Sequence, residues 1–174
     1  MRSPPLAFVS GLERLGVGLG RLASGLLLAA AGLVFTVVVL RYLFSRGGIA
    51  LQESGVWLNA AAFLLAAGWT LSRDEHVRVD VFYQTFGDRG RAAVNLAGTL
   101  LFLLPFCCWL LYAGWGYAGA AWAVHEASPE AGGLPGLYLL KSLIPLTAAA
   151  LAVQGVAEIC KALGILSRPQ RRLD

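Results

Sequence analysis

The 174-residue chain is 57% hydrophobic and 14% charged, and its formal net charge at pH 7 is +4. A soluble domain carries about 25% charged residues, so this chain has too little polar surface to cover a globule, and its apolar content excludes intrinsic disorder. The Lys and Arg residues lie at the edges of apolar runs instead of forming a basic patch, which argues against nucleic-acid binding. The composition predicts an all-α integral membrane protein.

The first predicted element is an N-terminal amphipathic interfacial helix over residues 6–21, which lies in the membrane plane. Its apolar side chains recur at helical spacing along one narrow stripe, and charged side chains face the other way. The pattern is not that of a cleavable signal peptide. The alternative is a frayed tail that helps only with insertion. The apolar stripe consists of Phe8, Leu12, Leu15, Leu19 and Leu22.

Four charge-free runs predict four transmembrane helices within a single membrane domain, residues 1–174. A helix needs about 20 apolar residues to cross the hydrocarbon core. The third run is longer than a perpendicular crossing requires, so this helix must tilt, bend near Pro105 or project from the bilayer. The predicted spans are residues 22–44, 54–72, 92–122 and 142–160, and residues 161–174 form a cytoplasmic tail.

The distribution of cations predicts the orientation of these spans. Eleven of the 14 Lys and Arg residues flank one side, and only Arg41, Arg46 and Lys141 flank the other. Because cytoplasmic flanks carry the excess of Lys and Arg, both termini are predicted to lie in the cytoplasm. The connection that carries Glu126 and Glu130 then faces outward.

None of the predicted spans carries an Asp, Glu, Lys, Arg or His near its centre. An intramembrane enzyme or a self-sufficient ion-coupled carrier needs such groups at membrane depth, so the chain is predicted not to be an enzyme. The two histidines, His76 and His125, lie at span ends or in connections, where they cannot hold a haem between helices. No cofactor or metal is expected; a metal site of Asp74, Glu75, His76 and Asp80 is the alternative. The chain therefore has the character of a scaffold or accessory subunit.

Small residues four positions apart are candidates for close helix contacts. Gly116 is paired in this way with Ala120 in the third predicted span, and Ala148 with Ala152 in the fourth. Such pairs let helices approach closely in a membrane. Packing within the chain and contact with a partner subunit are both consistent with the pattern.

Three stretches of the sequence, taken in order, resemble one transporter family. They are the exit of the first span, VVVLRYLFSRGGIALQES; the exit of the second, LSRDEHVRVDVFY; and the outer connection with the start of the fourth, EASPEAGGLPGLYLLKSLIPL. Their order and their placement among four spans are similar to those of the small membrane subunit, of DctQ type, of tripartite ATP-independent periplasmic (TRAP) transporters. The resemblance covers roughly residues 22–159.

This resemblance implies a bacterial inner-membrane protein in a three-part uptake system for organic acids (carboxylates). In such a system a periplasmic substrate-binding protein delivers the substrate, and a large multi-span membrane subunit performs sodium-coupled transport. The small subunit braces the large one, so its expected partners are these two proteins and the membrane lipids. The rival interpretation is a stand-alone four-span small-molecule exporter that acts as a dimer, which would need an acidic residue within the membrane.

Two charged residues near the span ends, Glu53 and Lys141, are candidate contacts. Glu53, at the outer start of the second span, is expected to pair with Arg41 or with the large subunit; a carboxylate that interacts with the start of its own helix is the alternative. Lys141, with the acids of the outer connection, is a candidate contact for the binding protein, and solvated loop charges are the alternative.

The connection after the second span has a different pattern. His76, Arg78 and Asp80 alternate with valines, which is the period of an extended segment with one polar edge. That edge is expected to contact the partner or the helices of the chain itself. Anchoring at lipid headgroups is the alternative.

Overall fold

The computed structural model describes residues 4–72, 83 and 85–167, and within them the regular structure is entirely helical. The order along the chain is two long helices, a third that continues through a π-helical segment into a fourth, and a last long helix. Their bounds are α1 Pro4–Leu43, α2 Ile49–Ser72, α3 Asp88–Gly98, the π-helical segment Thr99–Leu103, α4 Leu104–Ala123 and α5 Leu137–Leu166.

Four stretches in the described part of the chain are long and apolar enough to cross a membrane. They have mean hydropathies between 1.3 and 2.4 over their most apolar windows. The predicted all-helical, four-span architecture is confirmed by these stretches, and the fold is that of a multi-pass membrane protein. They are Gly16–Leu43, Ile49–Leu71, Asp88–Ala123 and Leu137–Leu166.

The helices extend beyond the predicted spans because a helix keeps its backbone hydrogen bonds when it leaves the apolar core. Glu53 and Lys141, placed at span edges by the charge pattern, lie inside α2 and α5. At the other end of the chain, α1 runs through residues 21 and 22 without interruption, so no separate interfacial helix is distinguished. Its 40 residues extend about 60 Å, roughly twice the thickness of the hydrocarbon core.

Helix α5 is the centre of the bundle and contacts every other described helix. Its buried positions are mostly small: Ala148 and Ala157 are completely inaccessible. Gly114 of α4 also faces it, and a Cβ atom there would lie 3.1 Å from Ile144 Cγ2 and 3.3 Å from Pro145 Cδ. Small side chains therefore bring the helices together, as is usual where lipid and protein interior are equally apolar.

The π-helical segment Thr99–Leu103 lies directly before Pro105, which has no backbone N–H to donate. The Leu104 N–H donates to the Thr99 carbonyl, five residues earlier, so this turn holds one more residue than an α-helical turn. Buried residues on its two sides follow seven-residue spacing, but Thr99 and Cys107 are eight residues apart. The wide turn thus keeps both halves of the buried stripe toward α5. The stripe consists of Ala92, Thr99, Cys107, Gly114 and Ala121.

Candidate functional site

Glu53 connects α2 to the connection between α4 and α5, residues 124–136. Its carboxylate accepts hydrogen bonds from the Ser128 hydroxyl and from the Leu134 N–H, the latter at 2.7 Å. The Ser128 hydroxyl in turn accepts the Glu130 N–H at 3.2 Å. We call Glu53, Ser128 and Leu134 the loop anchor. Because Glu53 lies in the first turns of α2, the loop anchor places residues 44–48 and 124–136 at one end of the bundle, the loop end.

The backbone of residues 124–136 is shaped to reach Glu53. Gly132 and Gly136 have φ values of +81° and +103°, a left-handed region that favours glycine. Gly133 passes so close to the carboxylate that a Cβ atom would lie 2.8 Å from Glu53 Oε2. The Ser128 N–H also donates to the Leu134 carbonyl at 3.0 Å, which closes the connection on itself. Residues 124–136 therefore form a defined structure held against α2.

A second set of contacts holds the same connection to α5. Lys141 Nζ lies 2.6 Å from Glu126 Oε2 and 4.1 Å from the centre of the Tyr117 ring. Only 14% of the Lys141 side chain is exposed, and an amine over an aromatic face gains additional electrostatic attraction. The Trp122 indole N–H donates to the Ser142 hydroxyl at 2.8 Å. Lys141, which the sequence predicts as a contact for the binding protein, is thus paired with residues of this chain.

The predicted contact residues lie in different environments. Arg41 is exposed in the last turn of α1, and among the described residues it forms no ion pair with Glu53. Gly116 is exposed on α4, with no atom within 4 Å of an added Cβ, whereas Ala148 is inside the bundle. Ala148 is therefore a packing residue of the chain itself. His76, Arg78 and Asp80 lie outside the described residues.

The loop anchor was not predicted from the sequence. Glu53 was assigned to Arg41, to the large subunit or to its own helix terminus, and its partners are 75 and 81 residues away along the chain. Residues 128–136 contain Ser128 and three glycines, which is a weak signal for a tight turn that exposes N–H donors. Such a turn needs an acceptor, and the Glu53 carboxylate supplies it.

The exposed cavities that we describe are grooves along the helices, and few charged side chains line them. One of them has a volume of about 930 Å³ and lies along α4, with Tyr112, Trp115 and Gly116 among its lining residues and Ala152 of α5 at its side. We call it the α4 groove. No cluster of three His, Cys, Asp or Glu side chains that could hold a metal occurs in the residues described.

The apolar four-span bundle and its anchored connection define a small multi-pass membrane protein with its polar contacts at the ends of the helices. Residues 30–164, well over half of the chain, match the family described as tripartite ATP-independent periplasmic transporters, DctQ component. The chain belongs to this family, which confirms the resemblance noted in the sequence. Its members are components of transporters, and the family is not one of enzymes. A comparison with curated proteins gives no significant match.

Proposed function

We propose that this chain is the small accessory subunit of a sodium-coupled, binding-protein-dependent secondary transporter that takes up organic acids. In this role it braces the large translocating subunit and does not itself carry substrate. The observation that carries the proposal is the combination of DctQ membership with spans that lack Asp, Glu, Lys, Arg and His near their centres. A transport pathway for ions and carboxylates needs such groups, so the pathway belongs to the partner.

The hydroxyl groups of the spans support this division of labour. Those of Ser24, Thr36, Ser54 and Thr70 each donate to the carbonyl oxygen four residues earlier in their own helix. Thr147 instead donates to the Leu64 carbonyl at 3.3 Å and so joins α5 to α2. These groups are used for helix structure and packing, and they do not line a polar route through the described bundle.

The first test is transport by the chain alone. Reconstituted in liposomes without other subunits, it is expected to accumulate no organic acid under an inward sodium gradient, because no charged side chain near the centre of a span is available to bind either ion. Vesicles that contain the complete complex with its binding protein are the positive control and should accumulate radiolabelled substrate. Sodium-driven uptake by the purified single chain would overturn the accessory role.

We also propose that both termini face the cytoplasm, that the loop end faces the periplasm, and that residues 6–21 of α1 lie at the membrane surface. Three features support this: the cation count, the amphipathic pattern of residues 6–21, and a helix α1 longer than the hydrocarbon core. In this orientation the exposed face of residues 124–136, including Glu130, is available to a periplasmic binding protein.

Reporter fusions test this orientation. A reporter that is active only in the periplasm is expected to be silent when fused after Asp174 and active when inserted at Gly132, within the outward connection. A cytoplasmic reporter at the same two positions should give the reverse pattern. Periplasmic activity at Asp174 would contradict the proposed topology while leaving the four helices unchanged.

A further inference from the structure

The polar side chains that are exposed along the spans distinguish one helix face from the others. Exposed apolar residues are ordinary in a membrane protein because lipid covers them, and the hydroxyls of Ser24, Thr36, Ser54 and Thr70 are paired within their own helices. Asn59 of α2 differs: its amide is exposed and forms no hydrogen bond with any described residue. It lies six residues after Glu53, about 9 Å along the helix, and thus inside the predicted span 54–72.

An amide at this depth needs a partner, because hydrocarbon offers neither a donor nor an acceptor. The amide of Gln154, in α5, also has an unpaired Nε2 among the described residues. This residue is only 3% exposed, however. A second protein therefore has no access to Gln154. Asn59, by contrast, is open to a second protein, and its amide can both donate and accept.

Asn59 lies in a groove between α1 and α2, with a volume of about 490 Å³. Its floor is Gly55, where an added Cβ would lie 3.3 Å from Val34 Cγ2, so the absence of a side chain lets the two helices approach. Val38 of α1 and Val56 of α2 form apolar parts of its walls. We call this cavity the α1–α2 groove.

The α1–α2 groove is polar at its loop end. Arg41 and Gln52 line it there, and Arg41 forms no ion pair with any described residue. The groove thus presents an amide within the membrane span, apolar walls along its length and a guanidinium near one membrane surface. A transmembrane helix with a hydrogen-bonding group at the depth of Asn59 and an acidic group near its end has the complementary chemistry.

We propose that the α1–α2 groove binds one transmembrane helix of the large subunit, with a hydrogen bond to Asn59 and an acidic or carbonyl group facing Arg41. The inference rests on the proposed accessory function and names the surface that performs it. A phospholipid is the weaker occupant, because its phosphate can reach Arg41 but its acyl chain leaves Asn59 without a partner. The α4 groove is the weaker surface, because the polar groups in its lining are those of Cys, Tyr and Trp side chains and include neither an amide nor a charged group.

The experiment uses the complete complex, purified through a tag on this chain. A photo-crosslinking amino acid replaces Val56, which is 62% exposed in the α1–α2 groove, or Tyr112, which is 84% exposed in the α4 groove. We expect the large subunit to be crosslinked from position 56. Crosslinking from position 112 alone, or crosslinking of only lipid from position 56, would overturn the proposed surface.

Substitutions at Asn59 test the hydrogen bond. Asn59→Leu is expected to lower recovery of the large subunit about three- to tenfold, the range for one interhelical hydrogen bond in a membrane. The amount of the tagged chain should be unchanged, because its own fold does not use the amide. Asn59→Gln, which keeps an amide, should restore part of the recovery, and Gly116→Leu in the α4 groove should have no effect.

The outcomes separate this inference from the proposed function. Full recovery with Asn59→Leu, or loss with Gly116→Leu instead, would contradict the α1–α2 groove while the accessory role stands. If the unmodified chain recovers no large subunit in mild detergent, the accessory role fails and the inference fails with it.

Discussion

Replacing Glu53 with alanine is expected to release residues 124–136 from α2. The change removes the acceptor of both the Ser128 hydroxyl and the Leu134 N–H. Hydrogen bonds to a charged group contribute about 1.5–3 kcal/mol each, and with partial exposure we expect a total loss of about 2–4 kcal/mol. Local opening would then accelerate amide exchange of Leu134 roughly 30- to 1,000-fold, which hydrogen–deuterium exchange in detergent or nanodiscs can measure.

Two variants serve as controls for this result. Glu53→Gln keeps one acceptor oxygen and should give an intermediate acceleration. Glu130→Ala changes an exposed acid in the same connection, whose contribution to the loop anchor is through its backbone N–H, and should leave exchange of Leu134 unchanged. Equal exchange in Glu53→Ala and the unmodified chain would show that the loop anchor does not hold the connection.

Replacing Ala148 with leucine is expected to destabilise the isolated chain. Ala148 is completely inaccessible in α5, the helix that contacts all the others, so the larger side chain has no free volume. Overpacking of this kind costs about 1–3 kcal/mol and forces neighbouring helices apart. We expect a lower melting temperature and a lower yield of the purified chain, measured without any partner.

Gly116→Leu is the matched substitution on an exposed surface. A Cβ added there would meet no atom within 4 Å outside its own turn of helix, and the position is exposed, so the melting temperature of the isolated chain should not fall. Any gain comes from helix propensity, since glycine is about 1 kcal/mol less favourable than alanine in a helix. If Gly116→Leu destabilises the isolated chain as much as Ala148→Leu does, the distinction between inner and outer small residues is wrong.

Those two residues also show what the sequence could and could not predict. Both occur in the same spacing of small residues, and this spacing does not distinguish a packed helix face from an exposed one. The four spans, by contrast, follow from the charges, because the hydrocarbon core excludes ionised side chains over a fixed thickness. The helix ends extend further than the charge-free runs, since the thickness of lipid does not limit a helix whose backbone is already hydrogen-bonded.

The sequence indicates where the residues of the candidate site lie, but not which residues they contact. The charge pattern singles out Glu53 and Lys141 as residues near the span ends, but their partners depend on the path of residues 124–136 through space. Glu53 is 75 residues from Ser128, and no local period relates them. The exposure of Asn59 could not be predicted from the sequence, because it depends on how α1 packs beside α2.

The third transmembrane helix, Asp88–Ala123, contains the wide π-helical turn at residues 99–103. This turn determines where the length of the helix can change. Deleting one residue within that turn would bring Thr99 and Cys107 seven positions apart, so the buried residues before and after it would still face α5 along an ordinary α-helix. The same deletion near residue 110 would rotate Gly114 and Ala121 by about 100° away from α5, because each residue advances an α-helix by one part in 3.6 of a turn. A one-residue deletion in this helix is therefore accommodated at the turn before Pro105, and elsewhere it turns one packed half away from α5.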